Sequence, residues 1–278
     1  MRGKCFLAQS VPEVGQEPVL PVPLEPVKKS RKKLFVLIGV VAVAAVLLGS
    51  VLLLSVPQGL GETIPYGYGY TVGQKLTYSI SITESAAGQQ ASATGYMSMH
   101  IVSFDGENYT IDEAVHSEAQ GVSQDYNFTL ITNKAGHLVG SSNLPSSIES
   151  TYSMLQSWPG YGVLFNRTSI RVGETVHVPV NIGNSTLAFV GTFNYKVDNV
   201  ENVTVPAGTY KAFKLEVSTS DFHGLSQGID MSASISGNMI IEYGTCHALG
   251  FDLHETVTGE GVTVNLSISM TLTEDTLT

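Results

Sequence analysis

Val262-Thr263-Val264-Asn265-Leu266-Ser267-Ile268-Ser269-Met270-Thr271-Leu272 alternates without a break, apolar at every even position and polar at every odd one. Successive side chains of an extended chain point to opposite faces, so a period of two buries one face and leaves the other in water. Burial on one face marks antiparallel sheet, because strands of a doubly wound parallel sheet are apolar on both sides. The same period runs through Leu76, Tyr78, Ile80 and Ile82, which alternate with Thr77, Ser79, Ser81 and Thr83. It returns at Ile229, Met231, Ala233, Ile235, Met239 and Ile241, against Asp230, Ser232, Ser234, Ser236 and Asn238.

Working outward, weaker alternation predicts strands near 92–104, 108–117, 125–132, 176–182, 187–197, 200–205, 210–218 and 249–257. Asp105-Gly106, Ala135-Gly136, Gly183-Asn184 and Pro206-Ala207-Gly208 supply turns between them. One segment departs from this period. Ser146-Ser147-Ile148-Glu149 has the form of a capping box, and Ile148, Tyr152 and Leu155 follow at helical spacing until Pro159 stops the run after Trp158. The fold class is therefore all-β with minor α: a curved antiparallel sheet or half-barrel of about eleven strands, with one short helix. A β-sandwich is the alternative.

Charge divides the chain. Residues 1–33 carry seven Lys/Arg and three acids, whereas residues 57–278 carry seven Lys/Arg and 21 acids. Between them Leu34–Val56 holds no charge over 23 residues, and Lys28, Lys29, Arg31, Lys32 and Lys33 flank its start. As a helix this run spans about 34 Å, enough for a hydrocarbon core of about 30 Å. It is longer than the apolar core of a cleaved signal peptide, and its only Ala-x-Ala pattern, Ala42-Val43-Ala44, lies in its middle. The positive-inside rule then predicts a signal anchor in the plasma membrane, with the N-terminus cytoplasmic and the rest extracytoplasmic. The expected organisation is a Pro-rich basic tail (1–33), a transmembrane helix (34–56), a linker (57–74) and a β domain (75–278). Within the linker, Tyr66, Tyr68 and Tyr70 alternate with glycine, which suits either the headgroup level or an edge strand.

Six N-x-S/T sequons, at Asn108, Asn127, Asn166, Asn184, Asn202 and Asn265, all follow the apolar run. Parity puts Asn108, Asn127, Asn202 and Asn265 on polar strand faces, where a glycan fits.

The sequence holds no G-x-S-x-G elbow, phosphate loop, H-E-x-x-H or EF-hand loop, and His254-Glu255 lacks a second histidine. No catalytic residue, metal ligand or cofactor site is therefore assigned. Two cysteines, Cys5 and Cys246, exclude a disulfide framework and a four-cysteine zinc site. Cys246-His247 would point apart in extended chain, as would the carboxylates of Asp112-Glu113. If Asp105-Gly106 turns a hairpin with an even-numbered loop, His100 and Glu113 share the face of Val102, Phe104, Tyr109 and Ile111, where the two can form an ion pair. Acidity outside the tail excludes nucleic acid as a partner, since phosphate binding needs clustered Lys/Arg.

Tyr70-Thr71-Val72-Gly73-Gln74-Lys75-Leu76-Thr77-Tyr78 resembles the "VGxxLxY" opening of a group of exported prokaryotic domains of no assigned activity. Val203-Thr204-Val205-Pro206-Ala207-Gly208-Thr209-Tyr210 resembles their "V-x-V-P-A-G-T-F/Y" hairpin. That group is similar in architecture to the half-barrel lipoprotein carriers of bacterial envelopes. The resemblance implies a curved antiparallel sheet around a hydrophobic groove. In this chain the lining would come from Met97, Met99, Tyr152, Trp158 and Phe189.

Three functions are compatible with these features. A membrane-anchored cell-surface module, structural or interacting with another surface protein, requires the fewest. A binder of lipid or another hydrophobic ligand requires an open groove, and an envelope enzyme requires a constellation that the motifs do not supply. Sequons on polar faces carry one expectation: chain isolated from a glycosylating host has an intact mass above the 29.6 kDa of the bare chain, and an equal mass would sink it.

Overall fold

A computed structural model describes residues 63–65, 69–134, 138–145, 169–183, 187–226, 229–245 and 247–277. All the regular structure in them is β. The strands are β1 (Thr63–Pro65), β2 (Gln74–Ala86), β3 (Gln89–Phe104), β4 (Asn108–Ala119), β5 (Val122–Asn133), β6 (Leu138–Ser142), β7 (Ser169–Arg171), β8 (Thr175–Gly183), β9 (Leu187–Val205), β10 (Gly208–Ser226), β11 (Ile229–Glu242), β12 (Ala248–Gly259) and β13 (Val262–Leu277). Eleven of them form a single open sheet in the order β6-β5-β4-β3-β2-β13-β12-β11-β10-β9-β8, every pair antiparallel. β1 and β7 pair separately, so Thr63–Pro65, within the stretch read as linker, is bound to a strand from the middle of the chain.

The main sheet consists of two meanders joined by the pairing of β2 with β13. Its inner face is apolar. Leu76 and Tyr78 continue across the ladder into Leu272, Met270 and Ile268, then Phe251 and Leu253, then Met239 and Ile241. The outer face carries polar cross-strand pairs: Thr258–Thr263 at 3.1 Å, Thr256–Asn265 at 3.0 Å, His254–Ser267 at 3.0 Å and Lys196–Glu216 at 3.2 Å. The period of two thus reads out as one dry face and one wet face, in one continuous sheet rather than the two facing sheets of a sandwich.

A sheet this wide with one apolar face cannot stay flat, since its dry side must be covered. At one end it rolls until the β9–β10 hairpin reaches β13, past the two strands between them. There the Ala207 N–H donates to the Leu272 carbonyl at 3.4 Å. Two glycines on the inner face permit close approach of neighbouring strands. A Cβ at Gly237 would lie 2.0 Å from the Asp252 carbonyl oxygen, and one at Gly95 would lie 2.1 Å from that of His116. Bulges complete the bending. In β10, Asp221 and Phe222 stand opposite the single residue Gly191, and the Thr219 hydroxyl accepts the Ile235 N–H at 2.8 Å where the ladder breaks.

Several expectations change. The segments 187–197 and 200–205 are one 19-residue strand, β9, with an irregularity near Asp198. The edge strand β6 was not foreseen, so the expected number of strands matches the sheet only by compensation. A bulge at Val102 shifts the β3–β4 register between Ile101 and Ser103. His100 consequently faces Asp112 on the outer side while Glu113 faces Met99 on the inner side, and the expected His100–Glu113 ion pair does not form. The transmembrane helix (34–56), the basic tail and the helix near 146–158 lie outside the described residues. Among the described residues no helix is long and apolar enough to cross a membrane.

Gly237 carries a direct prediction. Gly237→Ala forces a methyl group into the Asp252 carbonyl and costs about 1–3 kcal/mol, read by chemical denaturation of the full chain.

Candidate functional site

One end of the rolled sheet is sealed. Tyr70, just before β2, stacks on the His247 imidazole at 4.8 Å between centroids and meets Tyr109 edge-on at 5.5 Å. Gly69 N–H donates to the Thr245 carbonyl at 3.2 Å, which fixes the approach to β2 against the β11–β12 turn. His247 is buried, and its Nδ1 lies 3.3 Å from the Glu242 carboxylate, which also accepts the Thr245 hydroxyl. The hydrogen bond from His247 holds Glu242 below the usual carboxylate range, against the opposing effect of burial. Beside this pair, Gln74 Nε2 donates to Asp275 Oδ1 at 2.9 Å and the Tyr210 hydroxyl donates to Asp275 Oδ2 at 3.3 Å. Burial, then the Asp275 charge, pushes Tyr210 up to about 12. Val203, Val205, Ala207 and Tyr210 pack on the main core, so the V-x-V-P-A-G-T-Y hairpin arches over this end as its cap.

Away from the cap the inner face opens. Along β2, Leu76 and Tyr78 are buried, whereas Ile80, Ile82 and Glu84 are half-exposed. Beside them on β3 are Gly95, Ala93 and Ala91, all small and all half-exposed. Small side chains on one strand beside isoleucines on the next leave a shallow apolar trough across β2 and β3. β12 and β13 form its flank, where Leu253, Val257, Leu266 and Ile268 are buried.

Three carboxyl groups interrupt this apolar face. Glu113 lies between Met99 and Phe128, and Glu255 between Ile235 and Leu266, with Glu84 across Leu266 from it. Glu113 is 6% exposed and Glu255 5%, and each has an Oε2 atom without a hydrogen-bond partner, as Glu84 has at Oε1. An unsatisfied buried polar group costs about 1–3 kcal/mol. Burial alone raises Glu113 and Glu255 to about 7, and it raises Glu84 as well. Among the described residues nothing basic offsets it. Lys75, Lys196 and Lys214 alternate with the inward side chains, Lys134 and Lys211 lie over the rings of Phe104 and Tyr243, and Arg171 is in β7.

The residues singled out from sequence are placed as follows. Met97 and Met99 are both on the inner face, opposite Tyr78 and Leu76. Tyr152, Trp158 and the Phe189 side chain lie outside the described residues, as do Asn166, Asn184 and Cys246. Asn127, Asn202 and Asn265 are exposed, and Asn108 is half-buried with its Nδ2 donating to Asp105 at 3.3 Å. Asp112 points outward and accepts Thr129 Oγ1 at 2.7 Å, with Glu113 on the other face. No group of three metal-ligating side chains occurs among the described residues. Glu113 was read onto this face but with His100 as its partner, and Glu84 and Glu255 were missed although parity marks them. Glu84 continues Leu76, Tyr78, Ile80 and Ile82, Glu113 continues Tyr109 and Ile111, and Glu255 continues Phe251 and Leu253.

No protein-family model and no curated protein matches the chain. Solved structures that it resembles include a candidate exported protein with a YmcC-like fold from Bacteroides fragilis NCTC 9343, at 8% identity over 76% of this chain and 99% of that one, with a TM-score of 0.31. Another is a candidate lipoprotein from Parabacteroides distasonis ATCC 8503, at 13% identity over 75% of this chain and 97% of that one, with a TM-score of 0.35. A third is an engineered protein from work on asymmetric conductivity, at 10% identity over 71% and 99%, with a TM-score of 0.31.

The buried acids make stability depend on pH. Each has a folded-state pKa of about 7 against 4.5 for the free group, so between these values the folded chain keeps protons that the unfolded chain has released. Their contribution is complete below 4.5 and is lost as pH rises through about 7. The thermal midpoint of the full chain is expected to fall between about pH 5 and about pH 8, and Glu113→Gln/Glu255→Gln to flatten that slope. An unchanged slope in the double variant contradicts the assignment.

Proposed function

We propose that this protein is a membrane-tethered extracytoplasmic binding domain that holds an apolar ligand on the half-open inner face of its sheet. One observation carries the reading: the inner face is sealed at the Tyr70–His247 end and half-exposed where Ile80, Ile82, Ala91 and Ala93 meet. A core that served only for stability would gain from larger side chains at Ala91 and Ala93. The tether and its orientation follow from the uncharged run Leu34–Val56 and the basic residues before it. The two halves of the proposal fit together, because an anchored domain with an apolar trough is placed to take up a molecule that water does not dissolve. A surface interaction module is the second reading, favoured by Ile131 and Val139, which are exposed on β5 and the edge strand β6.

Native mass spectrometry of the full chain, purified gently from membranes, tests the first reading. A stoichiometric hydrophobic adduct is expected, and Ala93→Trp, which fills the trough, is expected to lower its occupancy at least about tenfold without unfolding the domain. An adduct-free wild-type chain that also fails to retain added dodecanol leaves the surface module as the account.

A further inference from the structure

Resting on that reading of the inner face, we propose that the ligand is an amphiphile with a protonated amine head, held between Glu84 and Glu255. The placement comes from the ladder. Glu255 pairs with Leu266, and Leu266 pairs with Glu84, so the two acids share one row two strands apart. Two strand spacings are about 9.5 Å and the Leu266 side chain stands between the acids on the same face, so a small cation reached by both carboxyls sits over Leu266. The row lies beside the trough: Ile82 is two residues before Glu84 on the same face, and Ala91 is its cross-strand partner.

Charge complementarity selects the head group. Both acids keep a buried oxygen without a hydrogen-bond partner, and Glu255 is 5% exposed. No basic side chain among the described residues faces this row, so an ionised pair here lacks a counter-charge from the described protein. A fatty acid or phosphate head would add a third negative group. A hydroxyl head would meet one acceptor and leave the charge unbalanced. An ammonium head supplies three donors and one positive charge, and charge-assisted hydrogen bonds of this kind are roughly twice as strong as neutral ones. The alkyl body then lies along Ile80 and Ile82 over the small side chains of β3.

The test is native mass spectrometry of the full chain in a non-ionic detergent, titrated separately with dodecylamine, dodecanol and dodecanoate. Dodecylamine is expected to be retained about tenfold more tightly than dodecanol, and dodecanoate least. Glu84→Gln/Glu255→Gln is expected to bring the amine down to the level of the alcohol while leaving the alcohol unchanged. Glu84→Gln alone, at a half-exposed position that tolerates substitution, is expected to remove part of the preference and serves if the double variant fails to fold. Equal retention of amine and alcohol by the wild type, tightest binding of dodecanoate, or an amine preference that survives the double substitution overturns the head-group assignment and leaves the apolar trough standing. Retention of none of the three overturns the binding reading itself.

Discussion

The pairing of β2 with β13 joins the two ends of the β region, and the rest of the sheet depends on it. Each meander could form by local hairpins alone, yet each presents an apolar face that must be covered. Joined along β2 and β13, they become one eleven-stranded sheet whose dry side is continuous from Leu76 to Ile241. Such a surface can be removed from water only by rolling, and rolling requires neighbouring backbones to approach more closely than side chains allow. Gly95 and Gly237 meet that requirement on the two halves of the sheet, and the bulges in β3 and β10 absorb the remaining mismatch between inner and outer arcs.

Rolling is uneven, and this gives the domain two different ends. At the cap, large side chains accumulate: Tyr70, Tyr78, Tyr109, Tyr210 and His247 meet around Glu242 and Asp275. Some of their polar atoms pair within the cap, His247 Nδ1 with Glu242 and the Tyr210 hydroxyl with Asp275, while His247 Nε2 has no hydrogen-bond partner. The cap also secures the point where the chain enters the sheet from its N-terminal side, through Gly69 and Tyr70. At the other end the side chains become small on β3, and the isoleucines of β2 are left half-covered. The carboxyls Glu84 and Glu255 lie in that region. A fold under selection for stability alone gains nothing from them, because an apolar side chain of similar size would remove the desolvation cost.

Much of this was legible in the chain as written. Alternation, unbroken at 262–272 and 76–83 and nearly so at 229–241, identified the strands at the centre of the sheet, because one buried face and a period of two leave no other regular structure. The same rule contained the site, since Glu84, Glu113 and Glu255 each occupy an apolar parity position. Where alternation was interrupted, the reading failed in proportion. The irregularity near Asp198 made one strand look like two, and the bulge at Val102 reversed the expected relation of His100 to Glu113. A bulge adds one residue to one strand only, and a single sequence carries no record of the partner strand against which that residue is counted.

Composition and local pattern therefore settled matters that depend on neighbouring residues: β rather than α, antiparallel rather than parallel, one wet face and one dry, and an uncharged run long enough for a bilayer. Matters that depend on distant residues came only with folding. That Tyr70 meets His247, that the hairpin at Pro206 closes over β13, and that Glu84 and Glu255 share a row all require strands far apart in sequence to choose a register. Register is a property of pairs, fixed by how the sheet rolls to cover its apolar face, and no stretch of the chain taken alone contains it.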